Sequence, residues 1–314
     1  MKDSLRQLVR RPWFGPLVAL VAVYALFGIL SPDTFLGTAN LVTMLRQTVV
    51  VGIAAVGMTV VMIHGGIDLS VGSGVALTTV VVASLLRAGL GPVESSMLAV
   101  AASGAAGLVM GLLITRLRVT PFIITLGGMS ILRGLAKGIA GEQKIDADPK
   151  GLDSLMAPGT WALLPAGVWV GLALALVVGL ALVYTRFGKH VFAVGSNEQT
   201  ARLCGVEVSR VRVLVYGLAA VLTGVAGIME FSTLTVGDPT DSFGLELEVI
   251  AAVVIGGGSL SGGEGSIRGS LIGALLMTVI KTGGTHLGLP NWVQEIATGA
   301  IIVAAVAVDR LRKR

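Results

Sequence analysis

The sequence predicts an all-α membrane protein with about ten transmembrane helices and both termini in the cytoplasm. Of its 314 residues, 54% are hydrophobic and only 13% are charged, whereas about a quarter of the residues in an ordinary soluble domain are charged. The charged residues lie between apolar runs of the length that a membrane-crossing helix needs. We therefore interpret residues 1–314 as a single transmembrane domain.

Ten charge-free runs define the predicted spans. Five are long enough to cross a bilayer, which takes about 20 mostly apolar residues, and five need flanking residues. The ninth span, about 265–284, has to include Arg268 and Lys281 near its ends, where long cationic side chains can reach the interface. The runs are 12–32, 47–67, 69–86, 95–115, 119–132, 154–185, 213–229, 249–263, 269–280 and 296–308.

The basic residues give the orientation, because cytoplasmic loops collect Lys and Arg. With the N-terminus inside, ten spans place 16 of the 23 basic residues on the cytoplasmic side. Aromatic residues make up 5% of the chain, too few for a surface that stacks nucleic-acid bases, so we exclude nucleic acid as a partner. The sixteen are Lys2, Arg6, Arg10, Arg11, Arg116, Arg118, Arg186, Lys189, Arg202, Arg210, Arg212, Arg268, Arg310, Arg312, Lys313 and Arg314.

Two hydrophilic segments interrupt the apolar pattern. Residues 141–161 are predicted to form an external loop, which is either a solvated connection or a docking surface. Residues 184–213 are predicted to lie inside. Within them, Asn197 is a suitable cap for a short helix that Gly205 would close. Cys204 is the only cysteine, so no intrachain disulfide is possible. It falls in this segment, which the predicted topology places in the reducing cytoplasm.

An internal repeat is visible when the chain is shifted by 191 residues. It places HGGIDLSVG, residues 64–72, over IGGGSLSGG, residues 255–263, so that Asp68 lies opposite Ser259. Both residues are predicted to be helix N-caps, and both turns fall on the same side, as in a parallel repeat. Chance matching is the alternative, since the chain contains 44 glycines.

The second of these turns contains LSGGE, residues 260–264, which is close to the LSGGQ signature of ABC ATPases. It lies between two apolar runs, and the sequence has no G-x-x-x-x-G-K-[ST] loop to hold a triphosphate. We therefore interpret it as a glycine-rich turn between helices. No metal-ligand spacing and no G-x-S-x-G elbow occurs in the sequence either, so we expect no metal, no cofactor and no enzymatic activity.

Asp68 and a group of five other acidic residues are candidates for a function. Asp68 is either an N-cap or a pore residue that hydrogen-bonds a polar solute, because an intramembrane carboxylate is costly unless it has such a role. The group near the outer ends of the seventh and eighth spans is interpreted as a solvated rim or as a contact surface for a basic partner. It consists of Glu230, Asp238, Asp241, Glu246 and Glu248.

Small residues one helical turn apart predict close helix packing within the membrane. Three Gly-x-x-x-Gly pairs have this spacing, and we expect each of them to let two backbones touch. They are Gly107 with Gly111, Gly134 with Gly138, and Gly269 with Gly273.

Four stretches, in order, resemble the permease subunits of bacterial ABC importers for ribose, xylose, galactose and related monosaccharides. They are GGIDLSVGSGVAL, TPFIITLGGMSILRGLA, AVGSNEQTARLCGV and IAAVVIGGGSLSGGEGSIRGSLIGALL. The resemblance runs from about Arg46 to the C-terminus. It implies a multi-pass protein of the bacterial inner membrane that imports a monosaccharide by alternating access.

The resemblance also implies partners and functional residues. The partners are a second permease copy, identical or a close paralogue, a cytoplasmic ABC ATPase subunit, a periplasmic sugar-binding protein and membrane lipid. Residues 197–205 resemble the cytoplasmic coupling segment that contacts the ATPase, with Asn197, Glu198, Ala201, Arg202 and Gly205 as its functional residues. The glycine-rich turns are expected to flank the substrate path with Asp68, Ser70, Ser73, Ser259 and Ser261.

Two alternatives remain open at this point. The chain could act alone as an ion-coupled secondary transporter, with Asp68 as the coupling carboxylate. It could also serve an ABC importer for another small polar solute, such as a polyol, a nucleoside or a signalling furanose.

Overall fold

The computed structural model describes residues 13–159 and 164–312, and the regular structure of these residues is almost entirely helical. The basic residues predicted for the tail before Trp13, the end of the 141–161 loop, Lys313 and Arg314 lie outside the described residues. The α-helices are α1 (Phe14–Leu30), α2 (Pro32–Phe35), α3 (Thr38–Ile63), α4 (Val71–Arg87), α5 (Pro92–Leu117), α6 (Pro121–Ala140), α7 (Ala166–Tyr184), α8 (Arg186–Ser196), α9 (Glu198–Leu203), α10 (Val208–Leu234), α11 (Leu245–Ile255), α12 (Ile267–His286) and α13 (Asn291–Arg312). Two short strands, β1 (Ile145–Asp146) and β2 (Val236–Gly237), and a 3-10 turn at Leu152–Leu155 complete the description.

Helices α3 and α10 form the centre of the bundle. Every residue of α3 from Val49 to Ile63 is buried, and α10 packs against α3, α4 and α5. A helix that is apolar on all sides is expected in such a position. Around this centre, α5, α6 and α7 expose apolar side chains such as Leu108, Leu126 and Leu176. Outward-facing apolar surface of this kind suits contact with lipid.

The predicted apolar runs correspond to helices with one important difference. Within the described residues, five helices, α3, α5, α6, α7 and α10, are long and apolar enough to cross a membrane, and α1, α4 and the part of α13 up to Ala307 are shorter apolar helices. The predicted eighth span at 249–263 is wrong in extent, because α11 has 11 residues and ends at Ile255. At 1.5 Å per residue it is about 16 Å long, and residues 256–266 form glycine-rich turns instead of helix.

The bundle has two distinct ends. At the sheet end, β1 pairs antiparallel with β2, with Ile145 opposite Gly237. The other end, which we call the α9 end, carries α8, α9, the turn after α3 (residues 64–70) and the turn after α11 (residues 256–266). The predicted topology puts the same loops together, with 141–161 at one end and 184–213 at the other.

Two of the three glycine pairs pack as predicted. A Cβ at Gly107 would collide with the carbonyl oxygen of Tyr216, so α5 and α10 are in backbone contact. A Cβ at Gly273 would collide with the backbone of Ala252 in α11, and one at Gly269 with the backbone of Gly256 just after α11. Gly134 and Gly138 have open space around them. The prediction for that pair is wrong within the described chain, because this face of α6 points out of the bundle.

Candidate functional site: the α9 junction and a polar cavity

The short helix predicted in the cytoplasmic segment is present as α9. The side chain of Asn197 accepts a hydrogen bond from the Thr200 amide at 2.9 Å, which caps the helix at its N-terminus. Gly205 has φ +83°, a left-handed conformation that glycine adopts without a Cβ clash. Ala201 is buried against the bundle, whereas Leu203 is 89% exposed and Arg202 is exposed as well. One face of α9 is therefore anchored and the other is free.

An ion-pair network fixes α9 to the first turns of α10. Glu198 pairs with Arg202 one turn along α9, and with Arg212 of α10, each at 2.7 Å. The Arg212 side chain is 16% exposed and that of Glu198 is 41% exposed, so the second pair is the more shielded of the two. The sequence pointed to Glu198 and Arg202. It gave no sign that Glu198 pairs with Arg212, because that contact depends on how α9 folds back on α10.

Three backbones meet beside α9 at a glycine junction, formed by Gly195, Ile63, Gly262 and Gly263. Gly195 lies in α8, and a Cβ there would collide with the carbonyl oxygen of Ile63 at the end of α3. The same carbonyl accepts a hydrogen bond from the Gly263 amide at 2.9 Å. A displacement of α8 and α9 would therefore act directly on α3 and on the turn after α11.

The two repeated turns share a local hydrogen-bond pattern. Asp68 Oδ1 accepts from the Ser70 amide at 2.9 Å, and Ser259 Oγ accepts from the Ser261 amide at 3.1 Å. The prediction that Asp68 and Ser259 are N-caps is wrong in both turns. The residues at the N-caps are Ser70 for α4 and Ser266 for α12, because the chain makes a further turn before each helix begins.

Four of the five residues predicted to flank the substrate path lie in these turns, and Ser73 lies in the first turn of α4. Four of the five are buried and Ser261 is exposed. Asp68 is 2% exposed, and its carboxylate also accepts from the Ser70 hydroxyl at 2.6 Å. The five residues are Asp68, Ser70, Ser73, Ser259 and Ser261.

Buried polar groups without partners surround the first turn. The hydroxyl groups of Ser73 and Tyr216 and both ring nitrogens of His64 have no hydrogen-bond partner within the described residues. The Tyr216 ring lies against Gly66, where a Cβ would collide with the phenolic oxygen. Unsatisfied buried groups are rare in folded proteins. Their concentration here indicates a region where partners change or where water enters.

A polar cavity of about 280 Å³ lies toward the sheet end, between α3, α10, α12 and the segment that leads into α11. None of the five predicted path residues lines it. Three of the acidic residues that the sequence placed at an outer rim do so, namely Glu230, Asp241 and Glu248. The other lining residues are Gln47, Val50, Val51, Ser242, Phe243, Leu245, Thr278 and Lys281.

Pairing within the cavity wall is incomplete. Lys281 Nζ lies 2.7 Å from Glu248 Oε1, and Thr282 donates a hydrogen bond to the Gln47 side-chain oxygen at 3.1 Å. Arg133 of α6 donates to the carbonyl oxygens of Pro239 and Asp241 at 3.0 and 2.6 Å, which holds the segment before α11 in place. The carboxylate of Glu230 has neither a hydrogen-bond nor an ion-pair partner among the residues described.

The same segment is tied to the external loop. Lys144 beside β1 forms an ion pair with Asp238 beside β2 at 2.9 Å. Burial opposes ionisation of Asp238, but hydrogen bonds from Thr240 and Lys144 outweigh it and lower the pKa of this carboxyl. The hydrogen bond to Asp238 in turn raises the pKa of Lys144. The loop at 141–159 and the cavity wall are therefore mechanically connected.

Comparison with known proteins shows that the chain is similar to permease subunits of transport systems. Residues 40–306 match the family described as branched-chain amino acid transport system, permease component. The chain is 37% identical to the ribose import permease protein RbsC of Escherichia coli (strain K12) over 300 residues, covering 95% of this chain and 93% of that protein. It is 36% identical to RbsC of Bacillus subtilis (strain 168), with 94% and 92% covered. It is also 36% identical to the L-arabinose ABC transporter permease protein AraH of Azospirillum brasilense, with 99% and 91% covered.

Proposed function

The chain belongs to the branched-chain amino acid transport system permease family, and we propose that it conducts a monosaccharide into the cytoplasm for an ABC importer. It is a multi-pass membrane subunit without catalytic activity of its own. The ribose and L-arabinose permeases among its relatives support a pentose as the substrate. ATP hydrolysis in a partner subunit drives the transport by alternating access.

The arrangement at the α9 end carries this proposal. An ATPase that pushes on α9 moves α8, and Gly195 of α8 is in backbone contact with the end of α3 and with the turn after α11. The Glu198 to Arg212 ion pair carries the same movement into α10. Helices α3 and α10 form the core of the bundle, so a small displacement at α9 has a route to the centre. Packed helices respond to such displacements by shifting between discrete arrangements.

The sidedness follows from this assignment. The α9 end faces the cytoplasm and the ATPase, with Asn197, Glu198, Ala201, Arg202 and Gly205 forming the coupling segment. The sheet end faces the periplasm, where the loop at 141–161 is positioned to receive a sugar-binding protein. Two permease copies, identical or paralogous, form the path together, and both termini lie inside.

We keep five residues in their proposed place beside the path, namely Asp68, Ser70, Ser73, Ser259 and Ser261. The two turns and the start of α4 lie at the α9 end, where an opening of the path toward the cytoplasm would expose them. Hydroxyl groups there can exchange hydrogen bonds with a sugar without holding it tightly.

Reconstitution separates this proposal from a secondary transporter that uses Asp68 to couple an ion gradient. The permease is co-expressed with the ATPase and the binding protein of its operon, and sugar uptake is measured in proteoliposomes. We expect ATP-dependent uptake that requires all components. Uptake by the permease alone under an ion gradient, and its loss in Asp68→Asn, would establish the alternative.

A further inference from the structure

The cavity lies where the chain enters helix α11. The segment from Asp238 to Gly244 runs in from the sheet end without helical structure of its own, and α11 begins at Leu245. The first turn of α11 therefore opens on the cavity with Leu245 and Glu248 in its wall. Interrupted helices inside membrane bundles expose backbone and side-chain polar groups to a solute, which is how such breaks form binding sites.

The volume of the cavity fits one small solute. Its volume of about 280 Å³ is just below the range of about 300–1,000 Å³ that is common for small-molecule pockets. The wall combines apolar side chains, Val50, Val51 and Phe243, with several polar groups. This combination binds molecules that have both C–H surfaces and hydrogen-bonding groups.

The polar groups of the wall favour a neutral polyhydroxylated solute. The carboxyl group of Glu230, which has no partner among the described residues, and the remaining lone pairs of Glu248 can accept hydrogen bonds from hydroxyl groups. The Gln47 side chain uses its oxygen for Thr282, so its amide nitrogen is available as a donor. The wall holds three carboxyl groups against one ammonium group, a composition that disfavours anions such as sugar phosphates.

From these observations we infer that this cavity is a transient binding site for one neutral monosaccharide within the permease, with Gln47, Glu230 and Glu248 as its hydrogen-bonding residues. The inference rests on the proposed function and assigns a substrate contact to it. The sugar reaches this site from the sheet end after release by the binding protein. Since each hydrogen bond contributes little net free energy, the site passes the sugar on without trapping it.

The test uses the complete importer in proteoliposomes with labelled D-ribose, and with L-arabinose if ribose is not carried. The variants are Glu230→Gln and Gln47→Ala, and the control is Glu295→Gln, which makes the same chemical change at an exposed position of α13. Replacing a carboxylate by an amide in the membrane is not expected to impair folding. We expect each cavity variant to lower the uptake rate by about five- to tenfold, the worth of about one hydrogen bond, while the control is unchanged.

A second measurement tests whether the sugar occupies the cavity. Cys204→Ser removes the only thiol, and Thr278→Cys then places one thiol in the cavity wall. Modification of this thiol by a methanethiosulfonate reagent should slow at least threefold in millimolar D-ribose or L-arabinose but not in ribose 5-phosphate.

The outcomes separate the two proposals. If the wild-type importer moves no sugar with ATP, the proposed function fails and the inference fails with it. If the wild type transports while both cavity variants match the control and sugar does not protect the thiol, the inference alone is overturned. Protection by a cationic solute in place of the sugar would also overturn it.

Discussion

Lys144 Nζ lies 2.9 Å from Asp238 Oδ2 and joins the external loop to the segment that forms the cavity wall. Asp238 is three residues before Asp241, which lines the cavity, and the two are also linked by a hydrogen bond from the Asp241 amide to the Asp238 carbonyl oxygen. A force applied to the loop at 141–159 by a docked protein thus has a short covalent and ionic route to the site. This relationship connects periplasmic docking to the cavity in the proposed cycle.

Reversing one charge of this pair should uncouple docking from transport. In Lys144→Glu, two carboxylates face each other and the strand pairing loses its ionic support. We expect uptake to fall severalfold without loss of protein from the membrane, because the side chain of Lys144 is mostly exposed. Uptake assays on Lys144→Glu, Asp238→Lys and the double exchange measure this, and the double exchange should recover part of the activity. Normal uptake in both single variants would argue against a docking role.

The stabilisation from the Lys144–Asp238 ion pair should not change with pH across the physiological range. The pKa of Asp238 is lowered in the folded protein, so its stabilisation is complete above the usual Asp pKa of about 4 and is lost as the pH falls through the lowered value. The pKa of Lys144 is raised, so its stabilisation is present below about pH 10 and is lost only as the pH rises through the raised value. A double-mutant cycle of Lys144→Ala and Asp238→Asn, followed by thermal unfolding, should give the same coupling from about pH 5 to 9. A coupling that changes near pH 7 would contradict this assignment.

Glu198→Lys should leave the protein inserted but abolish uptake. The new cation would face Arg202 and Arg212, so the network that fixes α9 to α10 would become repulsive. Co-purification of the ATPase and proteoliposome uptake are the measurements. Glu207→Lys is the matched control, since it makes the same charge change at a nearby exposed residue without an ion pair in the described structure. Unimpaired uptake in Glu198→Lys would reject the coupling assignment, as would equal loss in both variants.

Gly195→Ala should disrupt the glycine junction. There is no room for a Cβ beside the Ile63 carbonyl, and overpacking of this kind costs about 1–3 kcal/mol. We expect a lower melting temperature in detergent together with strongly reduced uptake. Gly15→Ala is the control, because a Cβ at Gly15 of α1 meets no atom of the described residues within 4 Å. Equal stability of the two variants would show that α8 can move aside.

The ends of a helix could be predicted from the sequence where they depend on a few neighbouring residues. Asn197 and Gly205 mark the ends of α9 because capping and left-handed φ depend on a few neighbouring residues. The end of α11 was missed, because residues 256–263 contain no charge and continue the apolar run. The helices that end before Gly65 and Gly257 close with the same backbone hydrogen-bond pattern. Glycine residues suggest that a helix ends nearby, but within a run of glycines they do not show at which residue it ends.

The cavity illustrates what depends on tertiary structure. Glu230, Asp241 and Glu248 could be recognised as an acidic group, but their arrangement as a wall requires α10 and α11 to be placed beside α12. Lys281 is 33 residues from its partner Glu248, and Gln47 is 235 residues from Thr282. Residues this far apart in the chain leave no recognisable pattern in the sequence, so both contacts could be identified only from the structure.

Tyr216→Phe tests whether the unsatisfied groups beside the first turn serve the transport cycle. Among the described residues, the buried Tyr216 hydroxyl has no hydrogen-bond partner, and an unsatisfied buried hydroxyl costs about 1–3 kcal/mol. Removing the oxygen should therefore raise the melting temperature or leave it unchanged. If the turn at residues 64–70 rearranges during transport, the hydroxyl gains a partner in the other conformation, and the variant should be slower in uptake although it is at least as stable. Melting in detergent and uptake in proteoliposomes, measured on the same preparations, distinguish the cases. A variant that is less stable would show that the hydroxyl is satisfied by water, and one with wild-type uptake would remove Tyr216 from the mechanism.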